Sequence, residues 1–145
     1  MAAGYSGSPL VTKLGIKPGV PVTLVAAPDG YLGTLGALPP GATVRLVTLR
    51  EVGLAVPAGS ACPLIHLFVT EQFDLMKCFP LLKAGLARDG MLWVSWPKRA
   101  SGVPTDVNEN VIREAALAAG LVDVKVCAVD EVWSGLKLVF RLKDR

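Results

Sequence analysis

Charged residues are scarce in this chain, and it contains a single histidine. Asp, Glu, Lys and Arg make up 19% of the 145 residues, whereas hydrophobic residues make up 52%. That balance leaves more apolar area than the core of one small domain needs, so we expect the chain to form homo-oligomers. The single histidine, His66, lies inside an apolar segment, which favours a core role over a place in a catalytic triad.

Long hydrophobic runs and targeting segments are also missing. Gly, Pro or a charged residue interrupts each apolar run within about ten residues, whereas a membrane-spanning helix needs roughly 20. Residues 1–17 show no basic start followed by an apolar stretch, so we expect no secretory signal. A cytoplasmic location without a membrane partner is the resulting expectation.

The sequence also gives little support to metal, nucleic-acid or nucleophilic chemistry. Cys62, Cys78 and Cys127 are widely spaced, which is typical of free buried thiols in a reducing compartment. The net charge is +3, but the basic residues are scattered and do not form the stripe that nucleic-acid binders show. No phosphate-binding Gly-x-x-x-x-Gly-Lys loop and no Gly-x-Ser-x-Gly elbow occurs. We therefore expect neither a metal site nor a nucleic-acid partner.

What the chain does have is an alternation of strand-like and helical segments. Residues 20–26 are β-rich and almost uncharged, as expected of a central strand covered on both faces. The last two segments alternate apolar and polar residues, which predicts strands with one apolar face. The predicted strands comprise residues 20–26, 43–49, 64–69, 91–96, 122–127 and 136–143.

Short helices are predicted in the first third of the chain. Ser8, Pro9 and Gly15 are typical of the N-cap, the first position and the C-terminal stop of a helix. Residues 31–38 form a weaker helical segment that a Pro-Pro-Gly sequence ends. Residues 50–63 contain turn-forming residues without a clear periodicity, and they are predicted to form a loop.

Two longer helices are predicted in the remainder. Apolar residues recur at helical spacing over residues 73–86, and Pro80 predicts a kink there or a division into two helices. Asp106 and Glu109 resemble a capping box at the start of the second helix, which Gly120 ends.

This order of elements predicts an α/β fold. Strands separated by helices form a mostly parallel sheet, and the short connection between the last two strands predicts an antiparallel hairpin at the end. We expect one three-layer Rossmann-like domain of about six strands over residues 1–145, with residues 1–19 forming an N-terminal arm and short helix.

Several short segments resemble landmarks of the class I methyltransferase fold. They precede successive strands and cover nearly the whole chain. The region between residues 49 and 64 lacks the additional helix and strand of that fold, so the resemblance implies a topology without one strand-helix unit. The landmarks are Pro18-Gly19-x-x-Val22, Asp89-Gly90, Ala119-Gly120-Leu121 and the terminal hairpin.

The chain is also similar to a small bacterial family of unknown function. Three signatures carry this resemblance. It supports the fold and implies no particular activity. The signatures are Lys13-Leu14-Gly15, Trp93 with Pro97-Lys98, and Trp133-Ser134-Gly135.

The methyltransferase resemblance raises the question of S-adenosylmethionine. Its binding in that fold needs an acidic residue near the end of the first strand, several glycines after it, and an acidic residue at the end of the second strand. Here Pro28, Asp29 and Gly30 follow the first strand, while Arg50 follows the second with Glu51 just beyond. We therefore expect no cofactor in the usual mode, with S-adenosylmethionine as the alternative.

Topology still predicts where a ligand would bind. In an open, mostly parallel sheet, ligands bind beyond the carboxyl ends of the strands, and the hairpin turn before the last antiparallel strand reaches the same edge. Lys98 and Arg99 are adjacent cations at this edge, and with the polar residues after them they could hold a small anion. The predicted site residues are Asp29, Glu71, Lys98, Arg99, Ser101, Thr105, Trp133 and Ser134.

Several of these residues also have a purely structural interpretation. Asp29 and Glu71 are placed where an acid caps the following helix. Trp133 is typical of a packing anchor. Ser134 with Gly135 could simply form the hairpin turn.

These patterns favour a non-catalytic binding or interaction domain. The alternative is an enzyme, either a divergent S-adenosylmethionine-dependent methyltransferase or another small-molecule enzyme that acts at the carboxyl-terminal edge of the sheet.

Overall fold

The computed structural model describes residues 9–145, which form one sheet of six strands flanked by helices. The strand order is β2-β1-β3-β4-β6-β5. β1 to β4 pair in parallel, whereas β6 runs antiparallel to both β4 and β5. The predicted α/β sheet with an antiparallel end is confirmed. The strands are β1 (Pro21–Val25), β2 (Thr43–Val47), β3 (Cys62–Phe68), β4 (Leu86–Pro97), β5 (Leu121–Ala128) and β6 (Trp133–Phe140).

The helices cover the sheet in two layers, each with its own apolar cluster. α1 and α2 pack on one face, and α3, α4 and α5 pack on the other. The helices are α1 (Leu10–Leu14), α2 (Tyr31–Leu35), α3 (Val52–Ala55), α4 (Gln72–Gly85) and α5 (Glu109–Ala119), and short 3-10 turns occur at Leu49–Glu51, Arg99–Ser101 and Leu142–Asp144. Within residues 9–145, no helix combines the length and apolar character that crossing a membrane requires.

The predicted loop at residues 50–63 is wrong in its first part, which contains a 3-10 turn and α3. The Thr48 hydroxyl accepts a hydrogen bond from the Glu51 amide, and the Glu51 carboxylate accepts one from the Thr48 amide. This reciprocal capping box starts the turn. Val52 and Val56 are then buried in the core, which explains why so short a segment is helical.

α4 is continuous through Pro80, so of the two alternatives predicted there, the division into two helices is wrong. The predicted apolar series is buried from Phe79 onward, where Phe79 and Leu82 face the core, but its first two members are not. Leu75 and Cys78 face the core, whereas Phe73 is 73% exposed and Met76 is 49% exposed. The buried face of α4 therefore begins at Leu75 instead of Phe73 and then coincides with the predicted series.

The ends of the other predicted helices agree with the structure in part. Gly15 and Gly120 adopt left-handed conformations at the ends of α1 and α5, as predicted. Ser8 lies outside the described residues. The predicted capping box at Asp106 is wrong, because the Asn108 side chain caps α5 by accepting a hydrogen bond from the Val111 amide at 2.9 Å.

The turn of the terminal hairpin also differs from the prediction. Ser134 and Gly135 lie inside β6, opposite Trp96 and Ser95 of β4. The turn is formed earlier, where the Asp130 carboxylate accepts hydrogen bonds of 2.8 Å from the amides of Val132 and Trp133. An aspartate that closes its own turn in this way is a common hairpin device.

Candidate functional site: the carboxyl edge of the sheet

The carboxyl ends of β1 and β2 enclose a cleft of about 690 Å³, which we call the β1/β2 cleft. Val25 and Val47 are paired at the ends of these strands, so the cleft lies where an open parallel sheet binds its ligands. Its lining residues are Leu24, Ala26, Ala27, Leu46, Val47, Thr48, Leu49 and Arg50. The cleft is mainly apolar, and its size is in the range of small-molecule sites.

The floor of the cleft turns sharply after β1. Ala26 has a φ of 59°, a left-handed conformation that costs a non-glycine residue roughly 1–2 kcal/mol. Its amide donates a hydrogen bond of 2.9 Å to the Val47 carbonyl and so holds the turn against β2. Because Ala26 and Ala27 carry Cβ atoms and Pro28 follows, the backbone is less open to a ligand than a glycine-rich turn would be.

The carboxylate of Glu51, the acidic residue beyond β2, is engaged in a hydrogen bond with the backbone. Glu51 closes the capping box with Thr48, and these hydrogen bonds hold the pKa of its carboxyl below the usual value. Among the described residues that line the cleft, Arg50 alone carries a charge. The charged group at this edge of the cleft is therefore a cation.

Asp29 and Glu71 lie at the carboxyl edge but do not perform the structural role considered for them. Within the described chain, neither carboxylate caps its helix: the N-cap of α2 is Gly30, in a left-handed conformation, and Glu71 makes no capping hydrogen bond to α4. Instead, the Asp106 carboxylate accepts a hydrogen bond of 2.7 Å from the Gln72 amide at the start of α4. Both acids are exposed to solvent.

A second recess of about 360 Å³, the β4-end recess, lies beside Arg99 and Thr105. The polar side chains around it are mostly engaged with the backbone. The Thr105 hydroxyl donates a hydrogen bond of 2.6 Å to the Thr70 carbonyl, and the Ser101 hydroxyl donates one of 2.6 Å to the Lys98 carbonyl. Ser101 therefore shapes the loop, whereas Arg99 and Thr105 line the recess.

Lys98 is separated from the β4-end recess. Its ammonium group donates a hydrogen bond of 2.7 Å to the Asp130 carbonyl, and its amide donates one of 2.6 Å to the Val132 carbonyl. Lys98 and Arg99 therefore point in different directions. Lys98 connects the end of β4 to the hairpin turn through its hydrogen bonds, whereas Arg99 lines the recess.

Trp133 and Ser134 begin β6 at the same edge and are half-buried. The Trp133 ring packs edge-on against Phe68, with ring centroids 5.2 Å apart. This contact supports the packing interpretation of Trp133. The structure thus brings Lys98 together with the hairpin and Arg99 together with Thr105, while binding by the predicted site residues stays a prediction.

Sequence reasoning missed a buried polar cluster behind this edge. His66 Nε2 lies 2.6 Å from Ser95 Oγ, and His66 Nδ1 lies 3.2 Å from the Tyr31 hydroxyl. The imidazole also stacks on Phe68 at 4.1 Å. Burial lowers the pKa of His66 to about 3, so the ring is neutral. The core role expected of His66 fits this position. Leu64 and Phe68 lie two positions before and after it on the same face of β3, and this spacing was the sequence signal that His66 is buried.

Comparisons with known proteins agree with the fold and leave the activity open. A family model described as protein of unknown function (DUF3052) matches residues 67–142. No curated protein matches the sequence at a significant level.

Among solved structures, the chain is similar to a SAM dependent methyltransferase from Aquifex aeolicus, with 17% identity, a TM-score of 0.64 and coverage of 89% of this chain and 86% of that one. It is similar to the ribosomal protein L11 methylase from Lactobacillus delbrueckii subsp. bulgaricus, with 15% identity, a TM-score of 0.61 and coverage of 91% and 75%. A fibrillarin pre-rRNA processing protein from Methanococcus jannaschii shows 11% identity, a TM-score of 0.61 and coverage of 86% and 68%. At these identities the likeness shows the methyltransferase-like fold alone.

Proposed function

Given that the chain belongs to the DUF3052 family of proteins of unknown function, we propose that it is a non-catalytic binding domain that uses the methyltransferase-like fold to hold a small ligand at the carboxyl edge of its sheet. The ligand would enter the β1/β2 cleft. The proposal concerns binding, and methyl transfer is the competing function.

The orientation of Glu51 carries this proposal. A methyltransferase of this fold uses an acid at the end of the second strand to hold the ribose hydroxyls of its cofactor. Here that acid is engaged with the Thr48 amide at 2.9 Å, and Arg50 lines the cleft in its place. A guanidinium has five hydrogen-bond donors and no acceptor, so it cannot accept the protons of a ribose diol as a carboxylate does.

The turn after β1 supports the same conclusion. Gly30 is the one glycine in that turn, and it lies at the start of α2 rather than directly after the strand. Ala26 and Ala27 occupy the positions closest to the cleft. Their Cβ atoms keep a ligand farther from the backbone donors than glycine would.

Calorimetric titration of the full chain with S-adenosylmethionine and with S-adenosylhomocysteine tests the proposal. We expect no measurable binding of either compound at millimolar concentration. The melting temperature should likewise stay unchanged, because a ligand that binds only the folded chain raises it. Binding of either compound in the micromolar range would contradict the proposal.

A divergent methyltransferase is the second candidate, and the β1/β2 cleft favours it. The cleft has the position and size of a cofactor site, and solved structures with the same fold include a SAM dependent methyltransferase. Micromolar binding of S-adenosylmethionine that Arg50→Glu strengthens, because a carboxylate there can accept the ribose hydroxyls, would support this candidate over the first.

A further inference from the structure

The charge of the β1/β2 cleft indicates what kind of ligand it takes. Its floor is apolar, and Arg50 is the charged side chain among the described residues around it. We propose that the cleft binds a nucleotide that carries a phosphate on its ribose 2′-hydroxyl, and that Arg50 holds this phosphate. The inference rests on the proposed function and names the ligand class of the same site.

The shape and polarity of the cleft suit a nucleoside. Leu24 and Val47 are buried beneath it, while Leu46 and Leu49 form its more exposed side. A flat base packs well against such aliphatic side chains, since its faces are weakly hydrated and its burial removes apolar area from water. The volume of about 690 Å³ leaves room for a base, a ribose and a phosphate.

The position of Arg50 points to the ribose end of that ligand. It is the third residue after Val47, the last residue of β2. In dinucleotide-binding sheets, an acid after the second strand accepts the ribose 2′-hydroxyl, whereas an arginine nearby accommodates a 2′-phosphate. A guanidinium matches the geometry of a phosphate with paired donors, which makes the contact stronger and more directional than a lysine contact.

The neighbouring acids leave this cation available to a ligand. Glu51 is adjacent to Arg50 in sequence, but its carboxylate accepts a hydrogen bond from the Thr48 amide and does not line the cleft. Asp29 lies in the turn after β1, is exposed, and is likewise outside the lining set. The field at the mouth of the cleft is therefore set mainly by Arg50, and the attraction is expected to weaken with salt.

The test compares 2′-AMP, 5′-AMP and adenosine by calorimetric titration of the full chain at constant ionic strength. We expect 2′-AMP to bind about tenfold more tightly than adenosine, which corresponds to about 1.4 kcal/mol. 5′-AMP should bind only slightly more tightly than adenosine, because its phosphate lies on the other side of the ribose from the 2′-hydroxyl. Arg50→Ala should remove the preference for 2′-AMP, and Arg50→Lys should retain part of it.

Arg141→Ala is the matched control, because Arg141 extends from the end of β6 and donates to the Leu117 carbonyl of α5. It removes the same charge at a distance from the cleft and should leave the preference unchanged. Arg50 is exposed, so Arg50→Ala should fold normally, and its thermal unfolding verifies this.

Three results would overturn the inference: equal or absent binding of adenosine and 2′-AMP, a preference that survives Arg50→Ala, or tighter binding of 5′-AMP. In the second case, loss of the preference in Arg99→Ala would show that the anion occupies the β4-end recess instead. The proposed function fails on a different result, the binding of S-adenosylmethionine, so the two failures are distinguishable.

Discussion

The Nε2 atom of His66 lies 2.6 Å from the Oγ atom of Ser95, and both side chains are fully buried. On the other side of the ring, the Tyr31 hydroxyl lies 3.2 Å from Nδ1. A neutral imidazole has one donor and one acceptor nitrogen, so it can serve both hydroxyls while it stays uncharged. Because Tyr31 begins α2, the cluster fixes that helix to β3 and β4 behind the turn that follows β1.

The first prediction concerns pH. Burial lowers the pKa of His66 to about 3, whereas an unfolded histidine has its pKa near 6.5. Between these values the unfolded chain binds a proton that the folded chain does not, so acid favours unfolding. The free energy of unfolding should fall by about 1.4 kcal/mol for each pH unit below about 6 on account of this residue. Urea unfolding at several pH values between 4 and 8 measures the slope.

His66→Gln provides the comparison for this measurement. Glutamine keeps a donor and an acceptor but does not titrate, so its slope should be shallower than that of the wild type. The variant can be less stable at every pH without affecting the comparison. Parallel curves for the two proteins would show that His66 does not cause the acid sensitivity.

Ser95→Ala should destabilise the chain by about 1–3 kcal/mol, because it leaves a buried ring nitrogen of His66 without its partner. Urea unfolding at pH 8 is the appropriate measurement, since the ring is then neutral in both states. Ser134→Ala is the matched control. Ser134 is half-buried in the adjacent strand, and its removal should change the stability by about 0.5 kcal/mol or less. Equal losses in both variants would contradict a special role for Ser95.

Lys98→Met should loosen the hairpin turn. Methionine keeps the apolar stem but removes the ammonium that donates to the Asp130 carbonyl at 2.7 Å. Hydrogen bonds from charged donors contribute about 1.5–3 kcal/mol when buried, and the half-buried position of Lys98 reduces this to about 1 kcal/mol. Faster amide exchange at Val132 and Trp133 would report the loosening. Unchanged exchange there would contradict the role assigned to Lys98.

The sequence predicted the sheet well because strand periodicity and chain order constrain it strongly. Residues 20–26 and 43–49 proved to be parallel neighbours, and the last two strands form the expected hairpin. Boundaries were less certain, because they depend on individual hydrogen bonds. The turn at Asp130 and the helix start at Asn108 are both decided by one side-chain oxygen, and competing residues nearby offered the same chemistry.

The candidate site was predicted only in outline. Topology indicated the carboxyl edge, but the directions of side chains decide which residues share a recess there. Lys98 and Arg99 are adjacent in sequence, yet Lys98 donates to the hairpin turn and Arg99 lines the β4-end recess. Thr48 and Glu51 have the spacing of a capping box, and that signal would have predicted both the short helical segment and the orientation of the acid.

The final prediction is that the chain forms a dimer through the open edge of β2. This strand pairs only with β1 among the described strands. The Thr43 amide donates a hydrogen bond to the Val20 carbonyl. Because alternate residues of a strand in a parallel ladder direct their amides to opposite sides, the amides of Val44 and Leu46 point away from β1. Leu46 is also 61% exposed. A second copy related by a two-fold axis could pair with this edge, because the same surface would then serve both protomers.

Sedimentation at micromolar concentrations tests this dimer. Leu46→Lys places a charge on the open edge and should weaken the association by about tenfold or more. Leu142→Lys introduces the same charge at a side chain that is 79% exposed near the C-terminus, and it should leave the dimer intact. A wild-type protein that stays monomeric, or an equal effect of both substitutions, would exclude the β2 edge as the interface. A dimer that only Leu46→Lys disrupts would show that apolar area left open beside β2 is covered by a second copy of the chain.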